Sequence, residues 1–165
     1  MSAATTISVS EYLDTSYRPD CEYLEGEKLE RNVGEFDQSR LQMLLSRYLS
    51  NRENEWGILV VPEQRVQVKA SRFRVPDVTV LTARPSGQIM QEPFLCIEIL
   101  SPSDRMAEMQ ERIDDYLNFG ARYVWLIHPK TRRAFVYTAD AVREAKDGIL
   151  STEGPDIRVY LAELD

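Results

Sequence analysis

The segment Phe94-Leu-Cys-Ile-Glu-Ile-Leu100 most narrows what this chain can fold into. Nearly continuous apolar sequence of this length is the pattern of a central strand covered on both faces. One residue interrupts it. Period-two alternation puts Glu98 on the same face as Phe94, Cys96 and Leu100, so its carboxylate points into a covered layer. An unpaired ionised carboxylate there costs several kcal/mol or more, so Glu98 must be protonated, paired with a cation or bound to metal.

The surrounding sequence supplies the other layers. Ser8 to Ser16 reads as a short helix with a serine cap, closed by Pro19. Cys21 to Glu30 reads as two short strands around Gly26. From about Asp37 to Asn51, Leu41, Leu44, Leu45, Tyr48 and Leu49 recur at helical spacing. Strands are expected at Gly57–Val61, Arg65–Lys69, Val75–Leu81 and Phe94–Leu100, together in one sheet. Ser103 or Asp104 is the expected cap of a helix running to Phe119 and stopping at Gly120. Arg122–His128 and Ala134–Thr138 form a hairpin around a Pro129 turn, and a short tail carries Asp147-Gly148 and Ile157–Tyr160. Parallel pairing needs a long crossover, and the one after Leu100 has the useful length. The expected class is α/β (α+β), with a mixed central sheet.

Length and charge bound the function. At 165 residues, residues 1–165 suit a single domain with a core of its own. No apolar run approaches the roughly 20 residues of a membrane span, and the first six residues lack the basic and apolar regions of a secretory signal. A cytoplasmic protein is expected. Cys21 and Cys96 form no metal-ligand cluster and read as buried reduced thiols. The net charge of −7 opposes tight nucleic-acid binding, which draws on a basic surplus, unless a local patch, a divalent ion or a partner chain offsets it.

Asp77 repeats the puzzle of Glu98. It lies in Val75-Pro-Asp-Val-Thr-Val-Leu81, where Val78 and Val80 read as core. Either acid alone is better explained as a strand-end group accepting backbone or arginine hydrogen bonds. On neighbouring strands the two would instead converge as a hard oxygen site, suited to Mg²⁺ or Mn²⁺ and not to zinc. The single histidine, His128, precedes Pro129 and reads as structural, since nothing marks an activated serine to pair with it. Phosphate-cradling glycine motifs are absent. On the helix after Glu98, Met106, Met109, Ile113, Tyr116 and Leu117 share one arc, with Arg105 and Arg112 at its margin. Their bland reading is an aliphatic stem packed below a solvated head, the better account of Arg105. Arg112 is equally able to reach the surface that carries Glu98.

Read in order, Val-Pro-Asp77-Val-Thr-Val, Cys-Ile-Glu98-Ile-Leu-Ser-Pro-Ser, Arg112-Ile-Asp-Asp-Tyr116-Leu-Asn-Phe-Gly120 and Tyr-Val-Trp125-Leu-Ile-His-Pro129 closely resemble the Uma family of restriction-endonuclease-like proteins, within the PD-(D/E)XK nuclease superfamily. Glu22-Tyr-Leu-Glu-Gly26-Glu resembles that family's early acidic turn, and Gln38-Ser-Arg-Leu-Gln the start of its first core helix. The resemblance implies a restriction-endonuclease-like core sheet flanked by helices, with Asp77 and Glu98 as Mg²⁺ or Mn²⁺ ligands and Glu22 as an accessory acid. The implied reaction is phosphodiester hydrolysis in DNA, with Gln38 and Arg105 as candidate substrate contacts. The chain departs from the pattern at two places. The superfamily's lysine after the glutamate is Leu100, as is general in the family, and the family's helix lysine is Arg112. The usual histidine is Gln38, which cannot titrate.

Two readings follow. The first is a Mg²⁺-dependent endonuclease with Arg112 stabilising charge, and Arg72, Arg74, Lys130, Arg132 and Arg133 as candidate backbone contacts. A solvated hairpin tip is the commoner meaning of such a cluster. The second is a catalytically weakened nuclease fold acting as a binding or assembly module, dimeric through an apolar face. Fold alone does not separate them, because function resides in sites.

Overall fold

The computed structural model describes residues 6–31, 34–87 and 92–165. Its first helix, α1 (Val9–Asp14), starts where Ser8 accepts a hydrogen bond from the Glu11 N–H at 3.1 Å. Strands β1 (Cys21–Leu24) and β2 (Glu27–Glu30) are joined by Glu25-Gly26, both with positive φ, the geometry a two-residue hairpin loop requires. Helix α2 (Phe36–Ser50) buries the Leu41, Leu44, Leu45, Tyr48 and Leu49 stripe, as its spacing predicts. A short α3 (Glu53–Trp56) leads to β3 (Leu59–Pro62), β4 (Val66–Lys69), β5 (Arg72–Arg74), β6 (Val78–Leu81) and β7 (Leu95–Ile99). Helix α4 (Met106–Phe119) ends at Gly120, whose φ of 123° most side chains avoid. The chain closes with β8 (Tyr123–Ile127), β9 (Ala134–Tyr137), β10 (Val142–Glu144), β11 (Ile149–Ser151) and β12 (Arg158–Tyr160).

The class is mixed α/β, as expected. A six-stranded sheet has the order β10-β9-β8-β7-β6-β3, and β7 and β8 run parallel across the α4 crossover. Its two faces divide the core. Leu95, Ile97 and Ile99 face α2, with Val78, Val80 and Trp125. Cys96 faces α4, with Leu81, Val124 and Leu126 against Met109, Ile113 and Tyr116.

The expectation of one sheet for the middle strands is corrected. β4 belongs to a second sheet of order β2-β1-β5-β4, and β11 pairs with β12 separately. The cause is β5, three residues with arginine at both ends and no apolar run to announce them. Its Phe73 packs with Tyr12 and Tyr23, and its backbone pairs with both β1 and β4. The expected cap of α4 also moves. Arg105 holds the cap position without a side-chain bond, while Asp104 Oδ2 accepts the Ser101 N–H at 2.7 Å and closes the preceding turn. Both cysteines are free and buried. His128 organises its turn, its Nδ1 accepting N–H groups of Lys130 and Thr131. Among the described residues no helix is long and apolar enough to cross a membrane, and five of the six residues on which the leader expectation rested, 1–5, lie outside them.

The inner face of α4 also meets Val66 and Val68 of β4, so it is a layer shared by both large sheets. Ile113, 1% exposed, sits within it. Ile113→Ala should lower the free energy of unfolding by about 2–5 kcal/mol, with one urea transition seen alike by far-UV dichroism and tryptophan fluorescence. Two separated transitions would show that the sheets unfold independently.

Candidate active site

Strands β6 and β7 pair antiparallel in the register Val78↔Ile97, Thr79↔Cys96 and Val80↔Leu95. One further step sets Asp77, at the entry to β6, opposite Glu98. Glu98 alternates with Ile97 and so faces α4, where its Oε1 accepts the Tyr116 hydroxyl at 2.6 Å. Both acids are buried, at 4% and 3% exposure. Asp77 is pinned from two sides: Oδ2 accepts the Ile99 N–H at 2.8 Å, and Oδ1 accepts Arg31 Nη2 at 2.8 Å. Asp77, Glu98, Arg31, Gln38 and Arg112 line one cavity of about 160 Å³. The register and the lining thus bring Asp77 and Glu98 to the same cavity.

Burial pushes the Glu98 carboxyl up to about 8; Arg112 and the Tyr116 hydrogen bond oppose that rise and Asp77 adds to it. Burial also raises Asp77, against the pull of Arg31 and the Ile99 N–H. Burial alone would lower Arg112, but Glu98 and Glu22 beside it raise it overall, so it stays charged. Among the described residues, two polar atoms at the cavity are buried without a hydrogen-bond partner: Gln38 Oε1 and Arg112 Nε, the latter 4.0 Å from Glu98 Oε1. Gln38 Nε2 meanwhile donates to the Ile99 carbonyl at 3.1 Å.

Other expected residues stand elsewhere. Glu22 is 1% exposed and does not line the cavity; its oxygens accept Arg112 Nη2 at 2.8 Å and Arg74 Nη1 at 3.0 Å. Arg105 is exposed at the start of α4 and is not among the lining residues. The candidate basic patch is consumed by acids. Arg74 is 2% exposed and Arg72 binds Glu25 and Asp115, while Lys130, Arg132 and Arg133 face Asp37, Asp165 and Glu144. Sequence reasoning missed Arg31, which ends the charge-rich stretch Glu27-Lys-Leu-Glu-Arg31 with nothing to distinguish it. Tyr116 was legible as a core residue, but its hydroxyl's partner was not.

The donors fit a small hard cation. They are oxygens of Asp77 and Glu98, with the orphaned Gln38 Oε1 beside them, and among the described residues no group of three or more His, Cys, Asp or Glu converges. Mg²⁺ keeps several waters and needs one or two protein carboxylates, which this set provides, whereas zinc prefers nitrogen and sulfur.

The Uma2 family, described as "Putative restriction endonuclease", matches residues 9–158. A crystal structure described as "a putative nuclease belonging to DUF820", from Anabaena variabilis, matches with a TM-score of 0.80 at 21% identity, covering 96% of this chain and 97% of that one. At that identity the likeness is one of fold. The DrdV–DNA complex, solved by cryo-electron microscopy, matches with a TM-score of 0.41 at 15% identity, over 78% of this chain and 12% of that one. No curated protein matches the chain.

The raised carboxyls make stability depend on pH in a defined sense. A folded-state value of about 8 for Glu98, against an ordinary carboxylate value when unfolded, means that the folded protein holds the extra proton. This contribution is fully present below the unfolded value and is lost as pH rises toward 8, and Asp77 acts in the same direction. Glu98→Gln should therefore gain in Tm relative to the parent protein between about pH 5 and about pH 9. A difference that stays flat across that window would show that Glu98 is ionised throughout.

Proposed function

The chain belongs to the Uma2 family, and on that premise we propose that it is a Mg²⁺- or Mn²⁺-dependent endonuclease that hydrolyses phosphodiester bonds in DNA. The observation that carries this reading is the meeting of Asp77 and Glu98, both buried, in one cavity with Arg112 and an unpartnered Gln38 oxygen. We also take the chain as one restriction-endonuclease-like domain working in the cytoplasm; the α4 layer shared by two sheets and the free buried thiols support that.

In this reading Asp77 and Glu98 hold the ion, which when bound acts as a Lewis acid, lowering the pKa of water and offsetting charge at phosphorus. Tyr116 holds one oxygen of Glu98, its hydroxyl donating to Oε1, and so restrains the carboxyl at the cavity. Asp77 would hold the ion with its carboxyl oriented by the Ile99 N–H at Oδ2, while Arg31 is hydrogen-bonded to Oδ1. Gln38 Oε1 accepts a hydrogen bond from a water or substrate group, and its Nε2 bond to Ile99 keeps it there. Arg112 offers Nε–H to the developing negative charge. A guanidinium does not act as a general base, so the proton of the attacking water leaves to solvent.

The second reading, a catalytically weakened nuclease fold serving as a binding or assembly module that dimerises through an apolar face, is favoured by a specific observation. Asp77 already pairs with Arg31, and the hairpin cations with surface acids, leaving the −7 balance uncorrected there. Phe36 and Met106, 80% and 66% exposed, are apolar groups such an assembly would cover.

Ligand carboxyls must shed their protons to take a metal. Thermal stabilisation by millimolar Mg²⁺ should thus grow as pH passes through about 8 and disappear in Asp77→Ala and Glu98→Ala. Plasmid cleavage should fall by about 100-fold or more in Glu98→Ala. No metal-dependent cleavage of plasmid or single-stranded DNA selects the module, and no stabilisation at any pH removes the metal site.

A further inference from the structure

Glu22 is the least exposed acid of the chain, at 1%, and unlike Asp77 and Glu98 it does not line the cavity. Oε1 accepts Arg112 Nη2 at 2.8 Å and Oε2 accepts Arg74 Nη1 at 3.0 Å. Arg74 Nε in turn donates to Asp115 Oδ2 at 2.8 Å, and Asp115 Oδ1 accepts Arg72 Nη1 at 3.0 Å. Arg112 and Asp115 lie three residues apart on α4, which places them on one face of the helix. Glu22 and Arg74 lie on β1 and β5, whose register of Tyr23↔Phe73 sets them opposite each other one step on. The four side chains therefore form a chain of three ion pairs, Arg112–Glu22–Arg74–Asp115, that starts and ends on α4, passes through the smaller sheet and is closed into a ring by the helix itself.

The ring leaves the Nε–H of Arg112 without a hydrogen-bond partner among the described residues. Its Nη2 is held by Glu22, whereas its Nε is buried, without a partner, and nearest Glu98 at the cavity. We propose that Glu22 is the positioning residue of this site. Locked by Arg74 and Asp115, it takes no ion and holds the Arg112 guanidinium with Nε turned to the Asp77–Glu98 cavity.

The inference rests on the nuclease reading for its catalytic consequence, but not for its geometry. Swapping the arginine for lysine at such a place is not neutral. An ammonium has no second face to offer, whereas a guanidinium is gripped by one edge and used by another. This gives Arg112 a reason to stand here: a cation anchored from behind needs a planar, forked head.

Two measurements test it, one free of activity. In the side-chain NMR spectrum of the full chain without DNA, a guanidinium gripped at one Nη should give slowly exchanging, resolved Nη resonances for Arg112. These should collapse in Glu22→Gln and in Asp115→Asn. In single-turnover cleavage of plasmid DNA, both variants should lose about 100-fold in kcat with KM and the Mg²⁺-induced thermal shift unchanged. Guanidinium chloride at concentrations far below those that unfold a domain should restore part of the activity of Arg112→Ala, and none when Glu22→Gln is added.

Should Glu22→Gln not fold, Glu22→Asp, which keeps the charge but shortens the reach, decides by the same readings. Loss of the Mg²⁺ shift in a folded Glu22 variant would make Glu22 an ion ligand and overturn the proposal. So would averaged Arg112 resonances in the parent protein, parental kcat in the variants, or guanidinium rescue that ignores Glu22. Parent protein that shows the resolved resonances but cleaves no DNA would contradict the nuclease reading while leaving the ring in place.

Discussion

A carboxylate taken out of water must gain a positive partner or a proton, and this chain withdraws four: Glu22, Asp77, Glu98 and Asp115, none more than 6% exposed. Four arginines answer them. Arg31 meets Asp77; Arg112 meets Glu22 and approaches Glu98; Arg74 joins Glu22 to Asp115; and Arg72 joins Asp115 to Glu25. Removing one member of a buried pair costs about 3–5 kcal/mol, yet replacing a whole pair by well-packed apolar groups is often neutral or stabilising. Stability alone therefore does not account for so many buried charges. What they provide is placement, because a hydrogen-bonded fork fixes an angle that an aliphatic contact leaves loose.

The same network ties the two sheets together beside one cavity. The larger sheet contributes Asp77 and Glu98 through the β6–β7 register, and the smaller one contributes Glu22 and Arg74 through the β1–β5 register. α4 stands between them, with Met109, Ile113 and Tyr116 packed on both, and carries the groups that face each way. Tyr116 turns to Glu98 and Asp115 to Arg74, while Arg112 lies between Glu22 and Glu98. Cys96, Glu98 and Leu126 share a face whose apolar part is packed and whose acidic part opens into the cavity.

Much of this was legible in residue order. The Leu41–Leu49 stripe, the Phe94–Leu100 run and the Met109–Tyr116 arc each follow a period that packing enforces, so their helices and strands fall within two or three residues of expectation. Asp77 and Glu98 were visible because each is a charge in an apolar strand, a local contradiction that only a site or a partner resolves. The division into two sheets was not visible. It turns on Arg72-Phe73-Arg74, where strand pairing comes from backbone and one aromatic contact rather than from alternation. For the same reason Arg72 and Arg74 read as solvent-facing cations, although their partners on α4 and β1 lie about 40 and 50 residues away along the chain. Charge type is local information; the charge that answers it comes from topology.

The account stands on one ion held jointly by Asp77 and Glu98. Crystals soaked in MnCl₂ and measured at the manganese absorption edge test that directly. The account predicts an anomalous peak within about 2.3 Å of one oxygen of each acid, with Arg31 drawn off Asp77 and Glu22 still bound to Arg112. An Arg31–Asp77 pair left intact with no peak beside it, or a peak ligated by Glu22, would contradict it.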